Sequence, residues 1–277
     1  MVDQKKQSNF HHFILAIGFS WKANAKYAVA VLKLALFFIV TILLVPIYLI
    51  AKFGQNIKSN NFDFLIRSFW SKFGLWLCNV RVEVHGTVVD FYDVYVCNHV
   101  SWLDILTIQS LLNISFVAKS EVKRWPAFGF LAKIADTVFI DRRAMAAKTQ
   151  QSDLRKALNF GKRLCLFPEG TSTDGSYVLP FKSSLFEVII SLEKTDNLTA
   201  VVQPISLVYF HDESQSSIIF GWWGDMNLIK HIFGVVANVK SGKVYVTFEE
   251  PIDAKKIGDR KKLALAAESA IRKRFKN

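Results

Sequence analysis

The stretch DVYVCNHVSWLDILTIQSLL, residues 93–112, contains the repeating unit of the fold. A β-branched run, Asp93–Val96, breaks at a polar turn, and a longer helical stretch, Trp102–Leu112, follows. The same alternation continues outward. Further strand candidates are Arg81–Val89, Ile114–Ala118, Thr137–Ile140, Leu164–Phe167, Val201–Tyr209, Ser217–Gly221 and Lys243–Phe248. Helix candidates between them are Glu121–Lys133, Arg143–Phe160, Lys182–Leu192, Asn227–Val236 and Asp259–Arg274. Strands alternating with helices of this length indicate an α/β fold, a mixed sheet flanked by helices.

Upstream the texture changes. Leu34–Ala51 reads LALFFIVTILLVPIYLIA, eighteen residues without a charge, between Lys33 and Lys52. As a helix it extends roughly 27 Å, close to the ~30 Å hydrocarbon thickness of a bilayer. Pro46 should bend it, which leaves a full span and a helix that turns back both open. No small-residue cleavage site follows, so a removable leader fits poorly. Phe62–Val80 is aromatic-rich with Arg67 and Lys72, as an in-plane amphipathic helix would be, and Phe10–Trp21 is a shorter apolar run. The expected organisation is a membrane-embedded helical module over 1–80 and a catalytic α/β domain over 81–277.

Composition agrees with both parts. At 51% hydrophobic and 21% charged residues, with 24 Phe, 7 Trp and 7 Tyr, the 277-residue chain is no disordered segment. Its net charge of +12 calls for an anionic partner. That charge is concentrated at the two ends. Residues 1–60 carry seven Lys against Asp3, residues 260–277 carry seven Lys and Arg against Glu268, and 61–259 are balanced. Basic residues beside apolar ones fit lipid headgroups better than a nucleic-acid groove, and Leu263, Ala267, Ile271 and Phe275 are spaced for one helix face. Cys78, Cys97 and Cys165 are widely spaced and lack zinc-ligand patterning, which fits buried thiols in a reducing compartment.

The sequence has no G-x-S-x-G, P-loop, H-E-x-x-H or G-x-G-x-x-G. Polar residues gather instead where strand candidates end. In Asn98-His99-Val100-Ser101-Trp102-Leu103-Asp104 a chain reversal can return the Asp104 carboxylate to the His99 imidazole, fixing one nitrogen and leaving the other to take a proton. In Phe167-Pro168-Glu169-Gly170-Thr171, Pro stops a strand and Gly permits a tight turn with amides near a ligand. Phe139-Ile140-Asp141-Arg142-Arg143 ends a strand in guanidiniums suited to phosphate. Lys119-Ser120-Glu121 and Val202-Gln203-Pro204-Ile205 close two more.

In this order the pieces resemble the glycerolipid acyltransferase family, the group that includes bacterial 1-acylglycerol-3-phosphate acyltransferases. His99 and Asp104 match its His-x4-Asp motif; Lys119, Glu121, Pro126 and Gly129 match a Lys-x-Glu segment with downstream Pro and Gly. Phe139–Arg142 matches Phe-Ile-Asp-Arg, Phe167–Thr171 matches Phe-Pro-Glu-Gly-Thr, and Pro204 matches a late Pro block. The resemblance covers residues 80–210. It implies a membrane-bound enzyme moving a fatty acyl group from acyl-CoA or acyl-carrier protein to the hydroxyl of a lysolipid, with no metal, bound cofactor or nucleic acid involved. It also implies His99 as base, Asp104 as its partner, and Lys119, Arg142, Glu169, Gly170 and Thr171 as substrate-binding. Amides around Gly170, or at the helix start near Ser101, are candidate oxyanion donors. Glu169 either binds acceptor hydroxyls or organises its loop. The expected location is the inner membrane, with the catalytic domain facing the cytoplasm.

The first expectation for the acceptor is 1-acylglycerol-3-phosphate. Members acting on it usually place Arg after Phe-Pro-Glu-Gly-Thr, however, and here Ser172 follows. Ser172-Thr173-Asp174-Gly175 and Trp223-Gly224-Asp225 resemble the branch that includes lyso-ornithine lipid acyltransferases, which makes that lipid the alternative acceptor. From other classes, a thioesterase would use the same pair on water, and a non-enzymatic membrane-binding protein would leave the ordered motifs without a role.

Overall fold

The computed structural model describes residues 21–53, 62–87, 94–140, 154–158, 161–190, 201–211 and 217–275. At its centre is an eight-stranded mixed sheet. Its strands are β1 Val80–His85, β2 Val94–Cys97, β3 Ser115–Lys119, β4 Val138–Ile140, β5 Leu164–Leu166, β6 Val201–His211, β7 Gly242–Phe248 and β8 Ile252–Asp253. They follow the order β1-β7-β6-β2-β5-β3-β4, with β8 beside β6. β6, β2, β5, β3 and β4 are parallel, whereas β7 is antiparallel to β6 and parallel to β1.

Helices cover both faces, so the central strands are apolar throughout rather than alternating with polar residues. The period of two then divides each strand between two cores. Tyr95, Cys97, Cys165, Ile205 and Leu207 face a core formed with α1 (Trp21–Phe53), α2 (Phe62–Leu77), α3 (Leu103–Leu111) and α5 (Leu228–Asn238). Val94, Val96, Leu164 and Leu166 face the other, closed by α7 (Arg260–Arg272) and the 178–190 segment. Two further helices, α4 (Phe128–Ile134) and α6 (Ala254–Ile257), are short. Burial raises all three thiols above their ordinary value, Cys78 to about 12.

Three expected elements come out differently; of the helix expected over Lys182–Leu192, Ser183–Phe186 is a 3₁₀ turn and 187–190 are α-helical. The single helix over Glu121–Lys133 is divided into a 3₁₀ turn, Ser120–Arg124, and α4. Pro126 explains the break, because it excludes the α region for the residue before it, and Trp125 is extended at ψ 128°. Gly129 then passes so close to the chain that a Cβ would sit 2.4 Å from the Lys123 carbonyl oxygen. The expected strand Ser217–Gly221 is a 3₁₀ turn, Ser217–Phe220, that drives Phe220 into the first core against Tyr209. Of Arg143–Phe160, residues 154–158 are helical and the remainder, like 10–20 of the N-terminal run, lie outside the described residues.

α1 contains the apolar run and extends it to 33 residues, with Pro46 inside one helix. By length and composition it could cross a membrane. It nevertheless lies along the domain. Near its start Lys26 Nζ donates to Asn238 Oδ1 at 2.7 Å and Tyr27 stacks on Phe233; midway Phe37 packs on Trp70, whose Nε1 donates to Thr41. At its end Tyr48 and Lys52 both donate to the Ile134 carbonyl, and Lys52 pairs with Asp136 at 2.8 Å. The apolar face of α7 points inward: Leu263, Ala267 and Ile271 are buried and Phe275 packs against the same core.

Candidate active site

Parallel pairing brings the ends of β2, β5, β3 and β4 to one edge of the sheet, where α/β folds place their sites. His99 follows β2, Glu169–Thr171 follow the adjacent β5, and Lys119 ends β3, the next strand over. Strand spacing puts Lys119 roughly 10 Å along that edge from the His99 loop. Lys119 is exposed there. Arg142 follows β4 and lies outside the described residues.

The His99 turn is anchored at both ends. Asn98 extends the β2–β6 pairing with its side chain, donating to the Leu207 carbonyl at 2.9 Å and accepting from the Leu207 amide at 2.7 Å. Asp104, fully buried in the first turn of α3, receives the chain as it folds back. Its Oδ2 accepts from His99 Nδ1 at 2.7 Å, from the Val100 amide at 2.7 Å and from the Ser101 amide at 2.9 Å. Its Oδ1 accepts from the Tyr209 hydroxyl at 2.8 Å. Burial, then the neighbouring Asp104 charge, raise the Tyr209 hydroxyl well above its ordinary value, so it remains a donor. The imidazole stacks on Phe167 at 4.3 Å, and its Nε2 has no partner among the described residues. An imidazole held in this way can take a proton at Nε2 while the carboxylate balances the charge.

Glu169 faces inward. Its Oε1 accepts from the His99 amide at 2.6 Å and its Oε2 from the Leu179 amide at 2.7 Å, tying the β5 loop to the β2 loop. Burial pushes its carboxyl up to about 7, against the pull of those two amides. Gly170 makes the turn at φ +79°, a conformation costly for any other residue, and its amide donates to the Phe167 carbonyl. The Val100 and Ser101 amides are committed to Asp104, as above. Of the donors considered for an oxyanion, this leaves the turn at Thr171, which is exposed and unpartnered among the described residues. Ser172, where Arg is usual, donates to the Trp222 carbonyl, and the Thr173 amide donates to His99 O. The Trp222 amide donates to Val100 O. The 172–175 and 222–225 segments therefore meet beside the His99 turn.

A largely apolar cleft of about 2040 Å³ lies between α1, α3, α4 and α5; it reaches Trp102, three residues past His99, and its lining includes neither His99 nor the Phe167–Thr171 loop. Leu34, Phe37, Phe38, Trp102, Phe128 and Met226 are among its lining residues. Trp102 donates from Nε1 to His231 Nδ1 at 3.0 Å, and burial pulls His231 down to about 4, so it stays a neutral acceptor. Among the described residues no group of three His, Cys, Asp or Glu is placed to hold a metal ion.

The acyltransferase family matches residues 81–208, the segment that carries this edge of the sheet. The chain is 38% identical to the lyso-ornithine lipid O-acyltransferase of Rhodobacter capsulatus over 198 residues, 71% of this chain and 70% of that one. It is 32% identical to the 1-acyl-sn-glycerol-3-phosphate acyltransferase of Neisseria gonorrhoeae over 63% of this chain and 66% of that one. The crystal structure of the 1-acyl-sn-glycerophosphate acyltransferase PlsC from Thermotoga maritima shares the fold, with TM-score 0.61 at 20% identity over 88% of this chain and 93% of that one. With a mixed sheet of the same architecture and sequence identity at that level over most of both chains, the protein belongs to the glycerolipid acyltransferase family and is an acyltransferase.

Proposed function

We propose that the protein acylates a lysolipid hydroxyl from an acyl thioester, acyl-CoA or acyl-carrier protein, with lyso-ornithine lipid as acceptor. The observation that carries the chemistry is the 2.7 Å contact between His99 Nδ1 and Asp104 Oδ2, with Nε2 left without a partner among the described residues. His99 Nε2 takes the proton of the acceptor hydroxyl as its oxygen attacks the thioester carbonyl. The tetrahedral intermediate collapses with loss of the C–S bond, and the imidazolium returns the proton to the departing thiolate. Acid–base assistance of this kind is worth roughly 10²–10⁴ in rate. Asp104 orients the imidazole and balances its charge, and the Thr171 turn offers an amide to the oxyanion. Glu169 acts by holding the two loops in register rather than by touching substrate. Lys119, on the strand-end edge, and Arg142, two residues after β4 in sequence, serve the polar part of donor or acceptor.

The cleft takes the chains. At about 2040 Å³ it exceeds the roughly 300–1,000 Å³ of a single small-molecule site, which supports room for the donor's chain beside the lysolipid's own. α1 touches the domain at its start, middle and end. That favours a helix lying in the cytoplasmic face of the inner membrane over one that leaves the domain to cross it. Residues 1–80 then supply attachment and one wall of the cleft, and 81–277 supply the chemistry.

Ser172 in place of Arg, bonded to the Trp222 carbonyl, supports the lyso-ornithine acceptor, as does the greater identity to the Rhodobacter enzyme. The gonococcal relative keeps 1-acylglycerol-3-phosphate as the second reading. Purified enzyme given labelled acyl-CoA with each lysolipid in turn distinguishes them; exclusive consumption of lysophosphatidic acid would reverse the choice. His99→Ala should lose acyl transfer by roughly three orders of magnitude while melting like the parent protein, and near-normal turnover would remove His99 as base.

A further inference from the structure

The surface between Lys123 and Phe130 is unlike the rest of the catalytic domain. Every side chain from Lys123 to Phe128 is exposed, and Phe130 with them. Three are large aromatics: Trp125 at 37% exposure, Phe128 at 38% and Phe130 at 53%. Pro126 and the close approach of Gly129 to Lys123 O hold this turn in shape, so the aromatics are displayed by a constrained backbone rather than a loose loop.

The exposure is not isolated. Phe128 and Phe130 line one wall of the cleft; Phe38 and Ile42 of α1, also exposed, line the facing wall, and Ile229 of α5, 63% exposed, lies at its border. Three elements distant in sequence thus rim one opening with large apolar side chains. Such a patch on a soluble surface marks a contact. Cations are interleaved with it: Lys123 and Arg124 precede Trp125, Lys133 is exposed on α4, and Lys230 follows Ile229. The acidic residues of these segments are Glu121 and Asp225. Trp at an apolar–aqueous boundary with Lys and Arg beside it is the composition of an interfacial membrane contact.

We infer that the Lys123–Phe130 turn, with Ile229 and Lys230, is a second attachment to an anionic lipid surface, separate from α1. The occupant is a lipid surface because the rim is continuous, through the shared cleft, with the exposed apolar face of α1, and because its cations complement anionic headgroups. Each cation adds about a fivefold gain in partition to such a surface. The inference rests on the reading of α1 as membrane-attached and does not depend on which lysolipid is acylated.

The test uses the full chain in vesicles. The native thiols are buried, so an environment-sensitive fluorophore can be placed on Phe130→Cys, on Ile229→Cys and, as a reference, on Lys256→Cys of α6, across the sheet. In vesicles of equal phosphatidylglycerol and phosphatidylcholine, the labels at 130 and 229 should be quenched by chain-brominated lipid and shielded from iodide, and the label at 256 the reverse. Iodide quenching at 130 and 229 with no effect of brominated lipid overturns the attachment and leaves the turn as a docking face for a soluble protein. Charge reversal by Lys123→Glu with Arg124→Glu should cut lipid quenching at 130 several-fold in the anionic vesicles. Unchanged quenching would overturn the electrostatic part.

Discussion

α1 and α7 have the same ingredients in their sequences, basic residues beside a stripe of apolar ones, and they are used in opposite ways. On α7 the stripe is consumed by the fold: Leu263, Ala267 and Ile271 are 0% exposed beneath the sheet. Its arginines pair within the chain, Arg260 with Glu187 and Arg272 with Glu268, as does Arg274 just beyond it, with Glu249. On α1 the inner face meets α2 and α5, while Leu32 and Ile50 remain 69% and 73% exposed. Composition can nominate a membrane-binding helix, but the packing of the remaining chain decides whether its apolar face is available. The arginines at the C-terminal end therefore belong to the fold, and so do the α1 lysines Lys26, Lys33 and Lys52, which donate to Asn238, Leu77 and Ile134; what α1 leaves exposed is its apolar outer face.

The largest test of that contrast is a matched pair. Ile271→Ala should lower stability by about 2–5 kcal/mol, read from the unfolding midpoint in detergent, because it opens a cavity in a sealed core. Leu32→Ala should shift the midpoint by less than about 0.5 kcal/mol. A large effect of Leu32→Ala would mean that α1 is interior in both directions.

The division between committed and uncommitted groups extends to polar side chains, and Glu169 sharpens it through pH. Its carboxyl titrates near 7 when folded, above its ordinary 4.5, so the folded state binds the proton more tightly. Stability from this group is full below about pH 4.5 and is lost as pH rises through 7, by about 3 kcal/mol in all. Melting temperature followed across that window should decline more steeply in the parent protein than in Glu169→Gln. Equal slopes would show that the group does not titrate there.

Tyr209→Phe removes the donor to Asp104 Oδ1 and leaves that oxygen buried without it, a loss of about 1–3 kcal/mol. We expect roughly tenfold lower kcat with KM little changed, since the hydroxyl touches the carboxylate and not the substrate. A change in KM alone would argue against a positioning role. A small effect also belongs to the polar surface: Arg260→Ala, breaking an exposed pair with Glu187, should cost under about 1 kcal/mol and leave vesicle binding unchanged. Weakened vesicle binding would return α7 to the membrane.

What the sequence reveals follows from how local each interaction is. His99 and Asp104 lie five residues apart, so one turn determines their meeting, and the strand ends that gather the motifs can be read from Pro and Gly punctuation. Pro126 was a visible signal as well, yet the apolar residues around it read as one helix when two pieces form. Tyr209 meets Asp104 across 105 residues, through the placement of β6 beside β2, and no local pattern encodes strand order. The inward turn of Glu169 depends on two amides from separate loops, one of them at Leu179. Ser217–Gly221 has strand-forming residues, but Phe220 finds its pocket by coiling instead.

The fastening of α1 at Asn238 near one end and at Ile134 and Asp136 near the other has a practical corollary. The helix is a roof beam over the cleft. Trimming the chain after residue 53 to obtain a soluble enzyme would remove the wall bearing Leu34, Phe37 and Phe38 and lay bare the floor beneath. The fragment would be stickier than the parent and blind to its substrates, so solubilisation is better sought by wrapping the intact protein in a nanodisc than by shortening it.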